Sequence, residues 1–210
     1  KTTKCCNLAW NVATMNEDAI AVFLTIDDSS KELVPRLMTY DIAQRNFYGN
    51  KELFDLLTIN KVATTFMGKD HFEYDALMEE REISYKNYLK LIRERRLIIL
   101  DSEKGSSIDF IGSTVKELAE LYPDKHIFMF VDNFHLISTN GEEEGRFKYK
   151  KLSNSLKQVA VRNGATVIAT VEYNKLPKGT KPSNSNLAET GQLDYDANAI
   201  LHMYSELHDI

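Results

Sequence analysis

Short apolar runs rich in β-branched residues recur along this chain, and an amphipathic segment separates each from the next. "AIAVFLTID" (19–27), "LIIL" (97–100), "HIFMFVDN" (126–133), "ATVIATVEYN" (165–174) and "NAILHMY" (198–204) each read as a buried strand. Such runs have no polar face to turn to water, so both faces of their sheet need cover. Helices supply it. Leu8, Ala9, Val12 and Met15 share one face of a helix that begins near Cys5. Ser29 and Ser30 are candidate caps for a helix carrying Leu33, Leu37 and Ile42, with Pro35 near its first turn. The charged stretch 79–96 reads as one solvated helix, 106–122 as an amphipathic helix stopped by Pro123, and 151–164 as a helix ended by Gly164. The fold expected is α/β, a mostly parallel β-sheet flanked by helices.

Composition narrows the function classes. No apolar run approaches the ~20 residues that cross a bilayer, so no membrane partner is expected. The two cysteines, Cys5 and Cys6, are adjacent and cannot staple distant segments, which points to a reducing, cytoplasmic setting. With a net charge of −5, any contact with nucleic acid has to be local and on loops.

Ligands of parallel sheets sit at the carboxyl ends of the strands. Those ends carry Asp27, Asp132 and Glu172, while "KTT" (1–3) stands just before the first helix. A helix N-terminus offers unpaired N–H groups and a positive dipole to phosphate. Lys1 there neutralises outer phosphates, and the hydroxyl of Thr2, followed by Thr3, suits magnesium and nucleotide. Asp132 ends "IFMFV"; an acid so placed needs a cation or donor, and a magnesium ion fits. Asp27 is positioned as a general base toward water, with Asp28 its competitor. Glu172 is unexpected, because a carboxylate near a terminal phosphate repels it.

The segment "KPSNSNLAETGQLDYDANAILHMYSE" (181–206) resembles the last motif of DnaB-type replicative DNA helicases, roughly K-P-x-L-x-D-L-R-E-S-G-x-I-E-Q-D-A-D-x-V-L-F-L. Lys181, Pro182, Leu187, Glu189, Gly191, Asp196 and Ala197 match, with close substitutes at Thr190, Leu193, Asp194, Asn198, Ile200, Leu201 and Met203. "FLTIDDSSKELVPRL" (23–37), "FVDNFHLI" (130–137) and "LSNSLKQVAVRNGATVIATVEYNK" (152–175) are similar to three further blocks of that family, in order. The resemblance runs from Lys1 to about Glu206. It implies a RecA-like P-loop NTPase core over 1–210, using ATP and Mg2+, assembled as a homo-hexamer on single-stranded DNA beside other replication proteins.

Carried over by position, Lys1, Thr2 and Thr3 take the phosphate-loop roles and Asp132 the second metal-site acid. Asp27 stands where the family has a catalytic glutamate, Glu172 where it has a phosphate-sensing glutamine, Lys175 where it has an arginine, and Ala188 where the last motif has another. The loop's glycines are expected before Lys1 and an arginine-finger segment beyond Ile210. The loops 138–151 and 174–186 are expected to face the channel. The second carries Lys175, Lys178 and Lys181 without an acid and is the preferred DNA contact; the first mixes glutamates with its basic residues. An ATP-driven helicase or translocase is the leading expectation. A catalytically weak subunit, loader or scaffold, or another RecA-like ATPase, are the alternatives.

Overall fold

The computed structural model describes residues 1–66, 75–139, 145–174, 180–187 and 191–203. The elements follow in the order α1 (Thr2–Met15), β1 (Ala19–Thr25), α2 (Ser30–Asn46), α3 (Lys51–Leu56), α4 (Ile59–Thr65), α5 (Asp75–Arg93), β2 (Leu97–Asp101), α6 (Ile108–Leu121), β3 (His126–Asp132), α7 (Gly145–Asn163), β4 (Thr166–Ala169) and α8 (Gln192–Asp196). Short 3-10 turns occupy Phe134–Leu136 and Asn184–Asn186.

Among the described residues, four strands form one sheet in the order β2-β1-β3-β4, every pairing parallel. The central position of β1 explains its composition, since all seven of its residues are buried. Side chains alternate between two cores. Ile20, Val22 and Leu24 of β1, with Ile127, Met129 and Val131 of β3, pack under Ile111 and Val115 of α6 and Leu152 and Leu156 of α7. On the other face Ala21, Phe23 and Phe130 meet Cys6, Ala9, Trp10 and Ala13 of α1, and Leu33 and Leu37 of α2. Phe23 and Phe130 stack across the two strands with centroids 6.2 Å apart. A third cluster, Met38, Ile42, Leu53, Val62 and Leu77, joins α2 to the small helices α3 and α4 and to α5.

Local chemistry sets the helix ends. Ser29 and Glu32 form a reciprocal capping box at the start of α2, and Ser107 Oγ accepts the Phe110 N–H at 3.1 Å at the start of α6. Gly164 closes α7 with φ +58°, a conformation that glycine adopts without steric cost. Helix α5 buries only Leu77, Ser84 and Leu91, a single stripe at seven-residue spacing, while Glu80 pairs with Arg45 of α2 and Arg81 covers the Phe66 ring.

Three expectations are corrected. The run 198–204 forms no strand among its described residues, and Leu201 and Met203 lie 82% and 46% exposed. A strand needs a ladder partner, and β4 pairs only with β3 among the described residues. The fourth strand ends at Ala169 rather than near Asn174, because the backbone beyond it turns to other partners. The Thr170 carbonyl accepts the Phe134 N–H at 3.0 Å, and Tyr173 bridges to Leu187. Helix α7 begins at Gly145, so "RFKYKK" (146–151), expected in a loop, is helical.

Candidate active site

Parallel register brings the strand ends together. Thr25, the last residue of β1, pairs with Asp101 of β2 on one side and Asp132 of β3 on the other. The Ile26 N–H donates to the Asp132 carbonyl at 2.6 Å, which carries the chain past the sheet edge beside β3. There Thr25 Oγ1 accepts the Asp28 N–H at 3.2 Å and donates to its carbonyl at 2.8 Å, forming a tight turn. The turn divides the two acids. Asp28 pairs with Arg36 at 3.2 Å, whereas Asp27 is exposed at the tip.

Asp132 is buried at 3% exposure, and its carboxylate accepts the Thr170 hydroxyl. The first turn of α1 lies close by. Burial pushes the thiols of Cys5 and Cys6 well up, and the Asp132 charge pushes both further. These cysteines are packing residues kept protonated, without the low pKa of a nucleophile.

The N-terminal turn of α1 contains no acidic residue. Its compensating charge arrives from the other end of the chain. Lys1 Nζ lies 3.3 Å from Glu172 Oε1, and Asn133 Nδ2 donates to the same oxygen at 3.1 Å. Below it, the Glu172 N–H donates to His135 Nε2 at 3.2 Å. The Lys1 ammonium, first as hydrogen-bond donor and then as charge, holds the Glu172 carboxyl below its ordinary value, so Glu172 is ionised at neutral pH.

Thus Lys1, Glu172 and the Asp132–Asn133 corner meet at the strand ends, with Thr2 on the first turn of α1. Thr3 is exposed on that turn. The parts played by Asn133 and His135 are not evident from the sequence. The one available signal is the polar break they make, "DN" and "H", within the apolar run 127–137. Lys175, Lys178 and Ala188 lie outside the described residues; Lys181 is described and exposed. The basic turn opening α7 exposes Arg146, Phe147, Lys150 and Lys151. A shallow cavity of about 370 Å³ lies between α7 and α8, lined by Phe147, Lys150, Lys151, Asn154 and Gln192.

Among the described residues, no group of three or more His, Cys, Asp or Glu is arranged to cage a metal. One buried carboxylate beside a hydroxyl and a phosphate-favouring helix end does fit magnesium, which commonly binds through one or two carboxylates plus substrate phosphates and water. No helix among the described residues is long and apolar enough to cross a membrane.

The fold defined by this sheet, its order and its helices on both faces is a RecA-like α/β core. The sequence model of the DnaB-like helicase C terminal domain matches residues 1–209, and the chain belongs to that family. Among solved structures it is similar to an ATPase domain, with a TM-score of 0.71 at 18% identity over 94% of this chain and 64% of that one. It is also similar to a chain in "The Structure Of A DnaB-Like Replicative Helicase And Its Interactions With Primase", with a TM-score of 0.68 at 17% identity over 93% of this chain. The chain spans 42% of that second protein. No curated protein sequence matches the chain.

Proposed function

We propose that this chain is the ATP-driven core of a DNA helicase or translocase that moves on single-stranded DNA during replication. The observation that carries the reading is Lys1, at the start of α1, paired with a Glu172 that Asn133, next to the buried Asp132 of β3, also holds, inside a chain of this family. Lys1, Thr2 and Thr3 bind the nucleotide phosphates, assisted by the open N–H groups of the first turn of α1. Thr2 and Asp132 hold Mg2+, with the Thr170 hydroxyl fixing the Asp132 carboxylate. The metal supplies charge neutralisation to the phosphates when bound. Asp27, exposed at the turn after β1, is the acid that accepts a proton from the attacking water. Glu172 sits where a terminal phosphate is sensed.

Lys181, with Lys175 and Lys178, contacts DNA phosphates. The basic, aromatic opening of α7 is a second stretch of the same chemistry, combining cations with an exposed ring on which a base can stack. The working assembly is a homo-hexamer in the cytoplasm, engaging other replication proteins.

One observation favours a second reading, a catalytically weak subunit, loader or scaffold: Glu172 occupies the phosphate-binding lysine. Unwinding of a forked duplex by the full-length protein, with ATP and Mg2+, tests the first reading. ATP-dependent strand separation is expected. Nucleotide binding without turnover or separation favours the second reading, and strand pairing instead of separation points to a recombinase-like ATPase.

A further inference from the structure

Lys1 and Glu172 meet from distant parts of the chain, at the place proposed for nucleotide phosphates. The glutamate is held from several directions: Lys1 at 3.3 Å and Asn133 Nδ2 at 3.1 Å on Oε1, and His135 Nε2 at 3.2 Å from the backbone N–H beneath it. Its position is therefore set by two separate segments, the start of α1 and the 133–135 turn after β3. The ion pair is nonetheless weak, because the Lys1 and Glu172 side chains stay 40% and 54% exposed. Exposed pairs of this kind shift an equilibrium by about fivefold or less, so a ligand of higher charge can displace Glu172 from Lys1.

We propose that Glu172 is a counter-ion latch that occupies Lys1 in the nucleotide-free protein and makes the site select metal-bound over metal-free nucleoside triphosphate. The inference rests on the nucleotide reading above. A phosphate reaching Lys1 breaks the Lys1–Glu172 contact and leaves Glu172 as a negative neighbour, still tethered by Asn133. Lys1 is then taken up by phosphate, and the Glu172 carboxylate is left uncompensated beside it. Magnesium cancels roughly half of the negative charge of a nucleoside triphosphate at neutral pH, so the repulsion from Glu172 is about halved for the metal complex. An uncharged group at position 172 removes this discrimination while leaving Asp132 in place.

The test is equilibrium binding of a fluorescent ATP analogue to the full-length protein, in excess Mg2+ and in EDTA, for wild type and Glu172→Gln. The substitution keeps the side-chain shape and an acceptor for Asn133, at a position exposed enough to tolerate it. Glu172→Gln is expected to tighten metal-free binding by about fivefold, and Mg2+-bound binding by a smaller factor. The preference for the metal complex therefore narrows. An unchanged preference, with both proteins binding nucleotide, overturns the latch and leaves the nucleotide site standing. Failure of both proteins to bind the analogue with Mg2+ overturns the nucleotide reading, and the latch with it.

Discussion

A buried acid dictates much of what surrounds it. Asp132 ends an apolar strand at 3% exposure, and the sheet register fixes it beside the end of β1. The Thr170 hydroxyl donates to its carboxylate and so sets the orientation of that group. Thr170→Val preserves volume and removes the donor. It is expected to destabilise the fold by about 1–3 kcal/mol, read by urea unfolding, and to raise the Mg2+ concentration needed for half-maximal nucleotide binding. Cys5 and Cys6 provide an independent probe of the same corner. Their thiols are raised first by burial and then by Asp132. An unfolded thiol ionises near its ordinary 9.0 while the folded one stays protonated. Their contribution to stability is therefore fully present below that value and is lost as pH rises above it. Urea midpoints measured across alkaline pH should fall in wild type and fall less steeply in Cys5→Ala. Identical slopes for the two proteins would contradict the burial of this thiol.

Elements are legible in proportion to how strongly local chemistry specifies them. The first four apolar runs carry enough β-branched and aromatic residues to read as strands wherever the helices fall. The run 198–204 is comparably apolar, but no ladder partner forms among its described residues, and pairing is a property of the whole sheet. The start of α7 is hidden for a different reason. "RFKYKK" is charged and follows glycine and glutamates, so it reads as loop, yet Leu152 and Leu156 further along anchor the helix in the core shared with α6 and β3. The caps are plainly written. Ser107→Ala removes the acceptor for the Phe110 N–H and is expected to cost about 1 kcal/mol, read as a shift of the urea midpoint without a change in slope. At α2 the Ser29 backbone N–H, and then its hydroxyl, hold the Glu32 carboxyl below its ordinary 4.5, so the capping box stays charged into mild acid.

At the scale of the whole molecule, the candidate site is assembled from residues that sequence distance keeps apart. Lys1, Asp27, Asp132 and Glu172 are each visible as strand-end or helix-start residues, because ligand sites in parallel sheets collect there. Their pairing is not visible. That Glu172 engages Lys1, that Asn133 shares it and that Asp28 is drawn off to Arg36 all depend on where loops turn after the sheet ends. This division supports the proton-accepting role proposed for Asp27. Asp27→Asn is expected to lower turnover by about a hundredfold, whereas Asp28→Asn should leave it close to wild type. Equal effects of the two substitutions on steady-state kcat would contradict the assignment.

Whether this chain is a motor is decided by Mg2+-dependent ATP hydrolysis by the full-length protein, with and without single-stranded DNA, for wild type and Asp132→Asn. Turnover is expected that DNA stimulates and that Asp132→Asn lowers by about a hundredfold or more while circular dichroism shows the fold retained. Turnover in the folded Asp132→Asn protein equal to wild type would contradict a metal site at the end of β3, and with it the motor reading of this chain.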